Sequence, residues 1–233
     1  MKWSICYEIG LNHMGSRKEL IKIIKTIIKA NINVALSIQI REENYYTNKE
    51  NLLLSAQDYI EAQKLCSKAN LKLGFAIGEI NDLNFFKKNK IKPSFIKVLS
   101  MATKKKTFIK KVQNNFRCPI FYSTGHSTVQ YISKYILPLM KSTDYLIHTS
   151  FSSQVVNQNF KKMIAIKSLH KNVSYGLHCH QKFPVFTAIG CGAKKIFLYI
   201  GNKKLNLIDN LHALDIKEIK SFYKLCDDCI QSI

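Results

Sequence analysis

Short apolar runs rich in β-branched and aromatic residues alternate with segments of helical periodicity from one end of the chain to the other, and this alternation is its strongest constraint. The apolar runs at 4–9, 34–39, 73–77, 95–99, 119–122, 145–149, 173–176 and 196–200 read as eight strands. Helical patterns follow at 17–30, 55–70, 82–88, 104–115, 128–140, 159–170, 184–190 and 216–229. Several strands are continuously apolar rather than alternating, as a parallel sheet covered by helices requires. Eight βα units in 233 residues make a compact α/β chain, a (β/α)8 TIM barrel of a single domain. A doubly wound sheet is the alternative architecture. No linker, low-complexity tract or composition break marks a second domain across 1–233.

The first helix shows how the pattern works. Leu20, Ile23, Ile24 and Ile27 share one face, Lys18, Lys22, Lys25 and Lys29 form a solvated stripe, and Ser16 is placed to cap the N-terminus.

Composition narrows the function classes. With 46% hydrophobic and 22% charged residues the chain can bury a large core, which excludes intrinsic disorder. No stretch approaches the roughly 18 to 20 apolar residues of a membrane helix, and the N-terminus has neither a basic leader nor a small-residue cleavage site, so a cytoplasmic location is expected. The seven cysteines are odd in number and scattered, which argues for reduced thiols. Cys226 and Cys229 form a CxxC late in a helix, where packing on one helical face outweighs a redox role. The net charge of +21 points first to nucleic acid, but only three of the 36 basic residues are arginines, Arg17, Arg41 and Arg117. A nucleic-acid reader uses arginine for bidentate contacts, so that partner is disfavoured.

In a barrel, chemistry belongs at the C-terminal ends of the strands. The polar residues there converge: Glu8, Asn12 and His13 after strand one, Ser37 and Gln39 on strand two, Lys97 and Ser100 on strand four. Ser123, Thr124, Gly125 and His126 end strand five, His148 to Ser150 end strand six, and His178, Cys179 and His180 follow strand seven. Lys97 is suited to anchoring an anion or, desolvated, to attacking a carbonyl as an amine. Glu8 is suited to acting as a base or binding sugar hydroxyls. On an extended strand His178 and His180 share a face, as metal ligands would. The run STGHST carries no nucleotide-binding pattern.

These blocks also carry a family resemblance. EIGLNHMGS at 8–16, FIKVLS at 95–100, YSTGHS at 122–127, YGLH at 175–178 and GAKKI at 192–196 occur in order, and Asp209 precedes LDIKE at 214–218. They resemble the opening signature, FIKIGS, STGMS, YSDH, GAKVIE and DH…SLEPxE segments of the sialic acid synthase family. That family comprises the N-acetylneuraminate synthases and relatives making bacterial nonulosonic and spore-coat sugars, and the resemblance covers nearly the whole chain. It implies a carbon–carbon bond-forming synthase of carbohydrate biosynthesis that condenses phosphoenolpyruvate with an N-acetylmannosamine-type sugar. A divalent metal, manganese or magnesium, polarises the sugar aldehyde in that chemistry; water enters the resulting oxocarbenium and phosphate leaves.

The resemblance implies that Glu8, Gln39 and Asp209 help hold the acceptor sugar, that Lys97 and Ser100 bind phosphoenolpyruvate, and that His178 is one of two metal-binding histidines. Combined with the strand-end reading, Glu8 and Lys97 are the candidate catalytic pair. Asn12, His13, Gln39, Ser100, Ser123, Thr124 and Asp209 are candidates for substrate binding, and His178 with His180 for metal. The chain departs from the family pattern at Ser37, where the family has a lysine, at Gly78 for a threonine, Gly176 for a serine, and at Phe151 and Ser153 for an asparagine and a tyrosine. The second metal histidine aligns with Tyr199 and the acidic residue before it with Phe197. One imidazole plus water is a poor holder of a catalytic divalent ion. The small C-terminal antifreeze-like domain of the family is expected to be absent, which leaves the acceptor pocket more open to water.

Three readings therefore stand side by side. One is a divergent synthase-like enzyme acting on a small-molecule sugar and phosphoenolpyruvate, with His180 or His148 as replacement metal ligands. Another is a catalytically silent sugar-binding or partner-binding barrel, associated with itself or with another synthase chain. The last is metal-independent Schiff-base chemistry at Lys97.

Overall fold

The computed structural model describes residues 4–41 and 43–233, and the side chains of all of these except 43 and 44. Residues 1–3, at the head of the N-terminus read above as leaderless, lie outside the described residues. Eight parallel strands run in sequence order: β1 (Ile5–Gly10), β2 (Val34–Gln39), β3 (Lys72–Ile77), β4 (Ile96–Val98), β5 (Ile120–Ser123), β6 (Tyr145–Thr149), β7 (Val173–Gly176) and β8 (Ile196–Gly201). β1 also pairs with β8, with Ile5 opposite Ile196 and Glu8 opposite Tyr199, so the sheet closes into a barrel. The fold is the (β/α)8 barrel, not a doubly wound sheet.

The helices are α1 (Arg17–Ala30), a short α2 (Glu43–Tyr46), α3 (Ala56–Lys68), α4 (Ile80–Lys88), α5 (Lys106–Asn115), a single turn α6 (Val129–Tyr131), α7 (Phe160–Leu169), α8 (Pro184–Gly190) and α9 (Ile219–Gln231). Ser16 caps α1, its hydroxyl accepting from the Glu19 N–H, and the buried face of α1 includes Leu20, Ile23, Ile24 and Ile27. Lys18, Lys22, Lys25 and Lys29 are exposed. Ser55 and Asp58 form a reciprocal capping box on α3.

Several elements differ from the sequence reading, among them the short α2, which it does not include. The helix expected over 128–140 is broken into α6, a π turn (Ile132–Ile136) and a 3-10 turn (Leu137–Leu139). Pro138 has no N–H to give an α-helical bond and its ring crowds the preceding turn, so a regular α-helix does not run through it. A two-residue strand, β9 (Leu214–Asp215), adds to β8 through Ile200 and Leu214. It is too short to show period-two alternation.

Two packed layers hold the barrel. The larger core lies between sheet and helices, with Ile5, Tyr7 and Ile9 of β1 meeting the apolar face of α1. The second fills the barrel itself: Cys6, Ala35, Phe95, Phe121, Ile147 and Phe197 are all fully buried. Its three phenylalanines meet in tilted, edge-type contacts, Phe95 to Phe121 at 5.4 Å and Phe121 to Phe197 at 5.1 Å between centroids. Gly74 makes room for this plug, since a Cβ there would lie 2.3 Å from the Phe95 ring. All seven cysteines are free thiols; Cys226 is buried and Cys229 partly buried on α9. Among the described residues no helix is long and apolar enough to cross a membrane.

Candidate functional site

Because the phenylalanine plug fills the barrel interior, polar inward-facing residues collect above it at the C-terminal ends of the strands. A cavity of about 500 Å³ opens there. Gln39 and Arg41 line it from the end of β2, Gly78 and Glu79 from β3, and Lys97 and Ser100 from β4. Ser123 and His126 reach it from β5, Thr149 and Phe151 from β6, His178 from the turn after β7, Tyr199 from β8, and Asp209 from the loop beyond.

At the floor of the cavity, Lys97 Nζ lies 2.6 Å from Glu8 Oε1, and both side chains are almost wholly buried. The ammonium also sits 5.5 Å above the Phe197 ring and 6.0 Å from the centre of Tyr199. Two charges held this close in a dry floor compensate each other's desolvation. Strand pairing brings them there, since β1 and β4 both direct these residues inward over the plug. Glu8 itself is not among the cavity-lining residues; it stands behind Lys97.

The β4 and β5 rim is tied together by Thr103, whose hydroxyl reaches the carbonyls of Ser100 at 2.7 Å and Ser123 at 3.1 Å. Ser100 Oγ accepts from the Gly125 N–H at 2.9 Å, which leaves its own hydrogen to donate toward the cavity. Gly125 is needed here, because a Cβ would strike the Phe151 ring at 2.3 Å. Phe151 in turn stacks on His126 at 4.6 Å between centroids.

Toward β7 and β8, His178 and Tyr199, which line the cavity, form a triangle of rings with His212, which lies outside the lining. The centroids are 5.5 Å apart for His178 and Tyr199, and 5.0 Å for each of them to His212. Burial, then the neighbouring His212 and Lys97, push His178 down to about 3, so its imidazole is neutral. Burial, then the carboxylates of Glu8 and Asp209, hold the Tyr199 phenol well above its usual range. His212 Nε2 lies 3.4 Å from Asp209 Oδ1.

Of the residues singled out in the sequence, Gln39, Lys97, Ser100, Ser123, His178 and Asp209 come together on the cavity, with Glu8 beneath. Asn12, His13 and Thr124 do not line it. Asn12 is spent inside the protein: its amide donates to the Ile200 carbonyl at 3.0 Å and its oxygen accepts from the Asp209 N–H at 3.0 Å. Asn12 thereby fixes the loop that carries Asp209. His13 accepts from the Gly15 N–H through Nδ1, and the Thr124 hydroxyl donates to the Ile147 carbonyl. His180 is exposed and does not line the cavity that His178 lines. The alternation expected of an HxH pair requires an extended strand, but β7 ends at Gly176 and the chain bends from Cys179. His148 is buried against the Gln158 carbonyl at 2.9 Å and does not line the cavity. His212 and Lys105 were not singled out in the sequence. His212 carried one signal, its i, i+3 spacing from Asp209, but that spacing is meaningful only once the segment is known to arch back over the mouth.

The fit of a divalent metal can be tested on these side chains. Among the described residues no group of three or more His, Cys, Asp or Glu side chains is placed to hold an ion. Tyr199 occupies the position the resemblance gives to the second histidine, and its ring packs against Gly10, where a Cβ would lie 2.6 Å from it. The described residues do not fit a protein-held divalent ion.

Comparison with known proteins agrees with this architecture. The model of the NeuB family matches residues 21–232. Similar solved structures include an N-acetylneuraminic acid (sialic acid) synthetase from Leptospira borgpetersenii, at TM-score 0.84 and 17% identity, covering 98% of this chain and 84% of that one. A spore coat polysaccharide biosynthesis protein from Bacillus subtilis gives TM-score 0.78 and 16% identity over 97% of this chain and 68% of that one. A truncated 3-deoxy-D-arabino-heptulosonate 7-phosphate synthase from Thermotoga maritima gives TM-score 0.77 and 11% identity over 99% and 87%. No curated protein matches the sequence.

Proposed function

Because the chain belongs to the NeuB family, we propose that it is a synthase-like barrel of carbohydrate biosynthesis that joins phosphoenolpyruvate to an N-acetylmannosamine-type sugar. The observation that carries this reading is the convergence of Lys97, Ser100, Gln39 and Asp209, from separate strands and a distant loop, on one cavity of about 500 Å³. That space suits two small polar ligands side by side.

Lys97 and the Ser100 hydroxyl take the anionic three-carbon unit, the first as a point charge and the second as a hydrogen-bond donor. Glu8 fixes the Lys97 ammonium at the floor, so its direction is set before substrate enters. Gln39 and Asp209 take hydroxyl groups of the sugar. The enolpyruvate carbon attacks the aldehyde carbon, water adds to the oxocarbenium, and phosphate leaves. No step is assigned to a metal, since the described side chains do not assemble a site for one. The reading carries with it a cytoplasmic location, which the free state of all seven cysteines supports.

The test is phosphate release from phosphoenolpyruvate in the presence of N-acetylmannosamine. The expected result is sugar-dependent release that falls at least about a hundredfold in Lys97→Ala. A second reading, a silent sugar-binding barrel, is favoured by the close Lys97–Glu8 pair, in which each group already satisfies the other. Thermal stabilisation by the sugar without any turnover would establish that reading and remove the first. Borohydride trapping of a pyruvyl adduct on Lys97 would point instead to Schiff-base chemistry.

A further inference from the structure

We propose that the acceptor is received at this site without a divalent ion, on a platform made by Tyr199 and His178 and backed by His212. The proposal rests on the reading that the cavity takes a sugar. It goes further in assigning the carbonyl end of that sugar to ring donors where the family pattern would call for a metal.

The three rings come from three separate segments, the end of β8, the turn after β7 and the loop beyond β8, and close on one another at 5.0 to 5.5 Å between centroids. Phe151, 5.1 Å from His178, extends the same wall toward the mouth. The placement of Tyr199 is built into the backbone. Gly10 takes φ +57°, and a Cβ there would meet the Tyr199 ring at 2.6 Å and Asp209 Oδ2 at 3.1 Å. The turn after β1 thus leaves a slot that admits both the ring and the carboxylate. Asp209 also closes on His212, 3.4 Å from Nε2.

This arrangement has the parts that recognise a sugar carbonyl. The Tyr199 phenol O–H and the His178 ring N–H are the donors at the cavity wall, and donors fixed in advance around a developing oxyanion stabilise it. Aromatic faces accept the apolar C–H face of a pyranose or its open chain, and Asp209 accepts from hydroxyls. Tyr199 stands where the resemblance places the second metal histidine, and among the described residues no group of three or more His, Cys, Asp or Glu side chains is assembled to take its place. A tyrosine at the end of β8 gives the wall a donor while removing a ligand.

The experiment uses calorimetric titration of the full chain with N-acetylmannosamine, in EDTA and in added magnesium, together with a manganese titration followed by electron paramagnetic resonance. The expected result is one affinity in both buffers, no bound manganese, and binding at least about tenfold weaker in Tyr199→Ala. Tyr199→Phe keeps the packing and loses only the donor, so it controls for misfolding; it is expected to fall between wild type and Tyr199→Ala. Sugar binding that disappears in EDTA, a stoichiometric manganese site, wild-type affinity in both variants, or no sugar binding at all would each overturn the platform. Its failure is distinguishable from failure of the condensation reading. Sugar binding of the expected pattern without phosphate release leaves the platform standing and removes the condensation. Turnover that EDTA abolishes does the reverse.

Discussion

Lys97 and Glu8 form the most consequential pair in the molecule, because neither charge has water to fall back on. Removing one partner strands the other at the barrel floor, and an uncompensated buried charge costs about 3 to 5 kcal/mol. Glu8→Leu and Lys97→Met are each expected to lower stability by roughly that much, whereas the double change combining them recovers most of it. Urea unfolding of the four proteins reads the cycle, and additive losses would refute it. The buried histidines make a separate claim at this scale. His13 and His148 are each held down to about 4, chiefly by burial, and each keeps one ring nitrogen without a partner. Their unfolded values lie near 6.5, so this neutral-state contribution is complete above about pH 6.5 and is lost as pH falls toward 4. Each group is worth on the order of 3 kcal/mol at the acid end. Stability measured across that range is expected to fall steeply in the wild type and less steeply in His148→Gln.

At the scale of elements, the plug decides where the cavity begins. Phe95, Phe121 and Phe197 fill the interior up to the level of Lys97, so inward polar residues such as Gln39, Lys97 and Ser123 line the cavity above them. Gly74 on β3 is the concession that lets Phe95 in. Gly74→Ala forces a fully buried ring to move and is expected to cost about 1 to 3 kcal/mol. Phe95→Leu, introduced with it, should restore part of the loss, and a melting temperature unchanged in Gly74→Ala would show that the ring has room to move. The strands and most helices were readable in the sequence because each buries a contiguous apolar face. The segment after β5 was not read correctly, since Pro138 acts on the turn preceding it and the apolar spacing alone does not register that conflict.

For the whole molecule, the +21 charge is spread over the surface rather than focused on the site. The α1 stripe of Lys18, Lys22, Lys25 and Lys29 is exposed, while the cavity mixes Arg41, Lys97 and Lys105 with Glu79 and Asp209, and Glu8 beneath. An excess of like charge destabilises the compact state through self-repulsion that salt screens over about 10 Å at 0.1 M. The melting temperature is therefore expected to rise with sodium chloride, by a few degrees. A fall with salt would mean that specific ion pairs outweigh the repulsion.

The alternation of eight apolar runs with eight helical patterns pointed to helix-covered parallel strands and favoured the barrel over a doubly wound sheet, and the pairing of β1 with β8 is what closes it. The ordered blocks around Glu8, Lys97, Ser123 and His178 were likewise legible, because strand ends bring such residues to one rim whatever the loop details. What only the tertiary structure decided is which of them face the cavity. Asn12, His13 and Thr124 turn their polar atoms into internal bonds, and His180 leaves the rim where the chain bends, while His212 packs on His178 and Tyr199 outside the lining, from a loop with no periodicity to announce it. The pairing of Lys97 with Glu8 across 89 positions, and the ring wall of His178, Tyr199 and His212, depend on contacts between distant segments that exist only when the barrel closes.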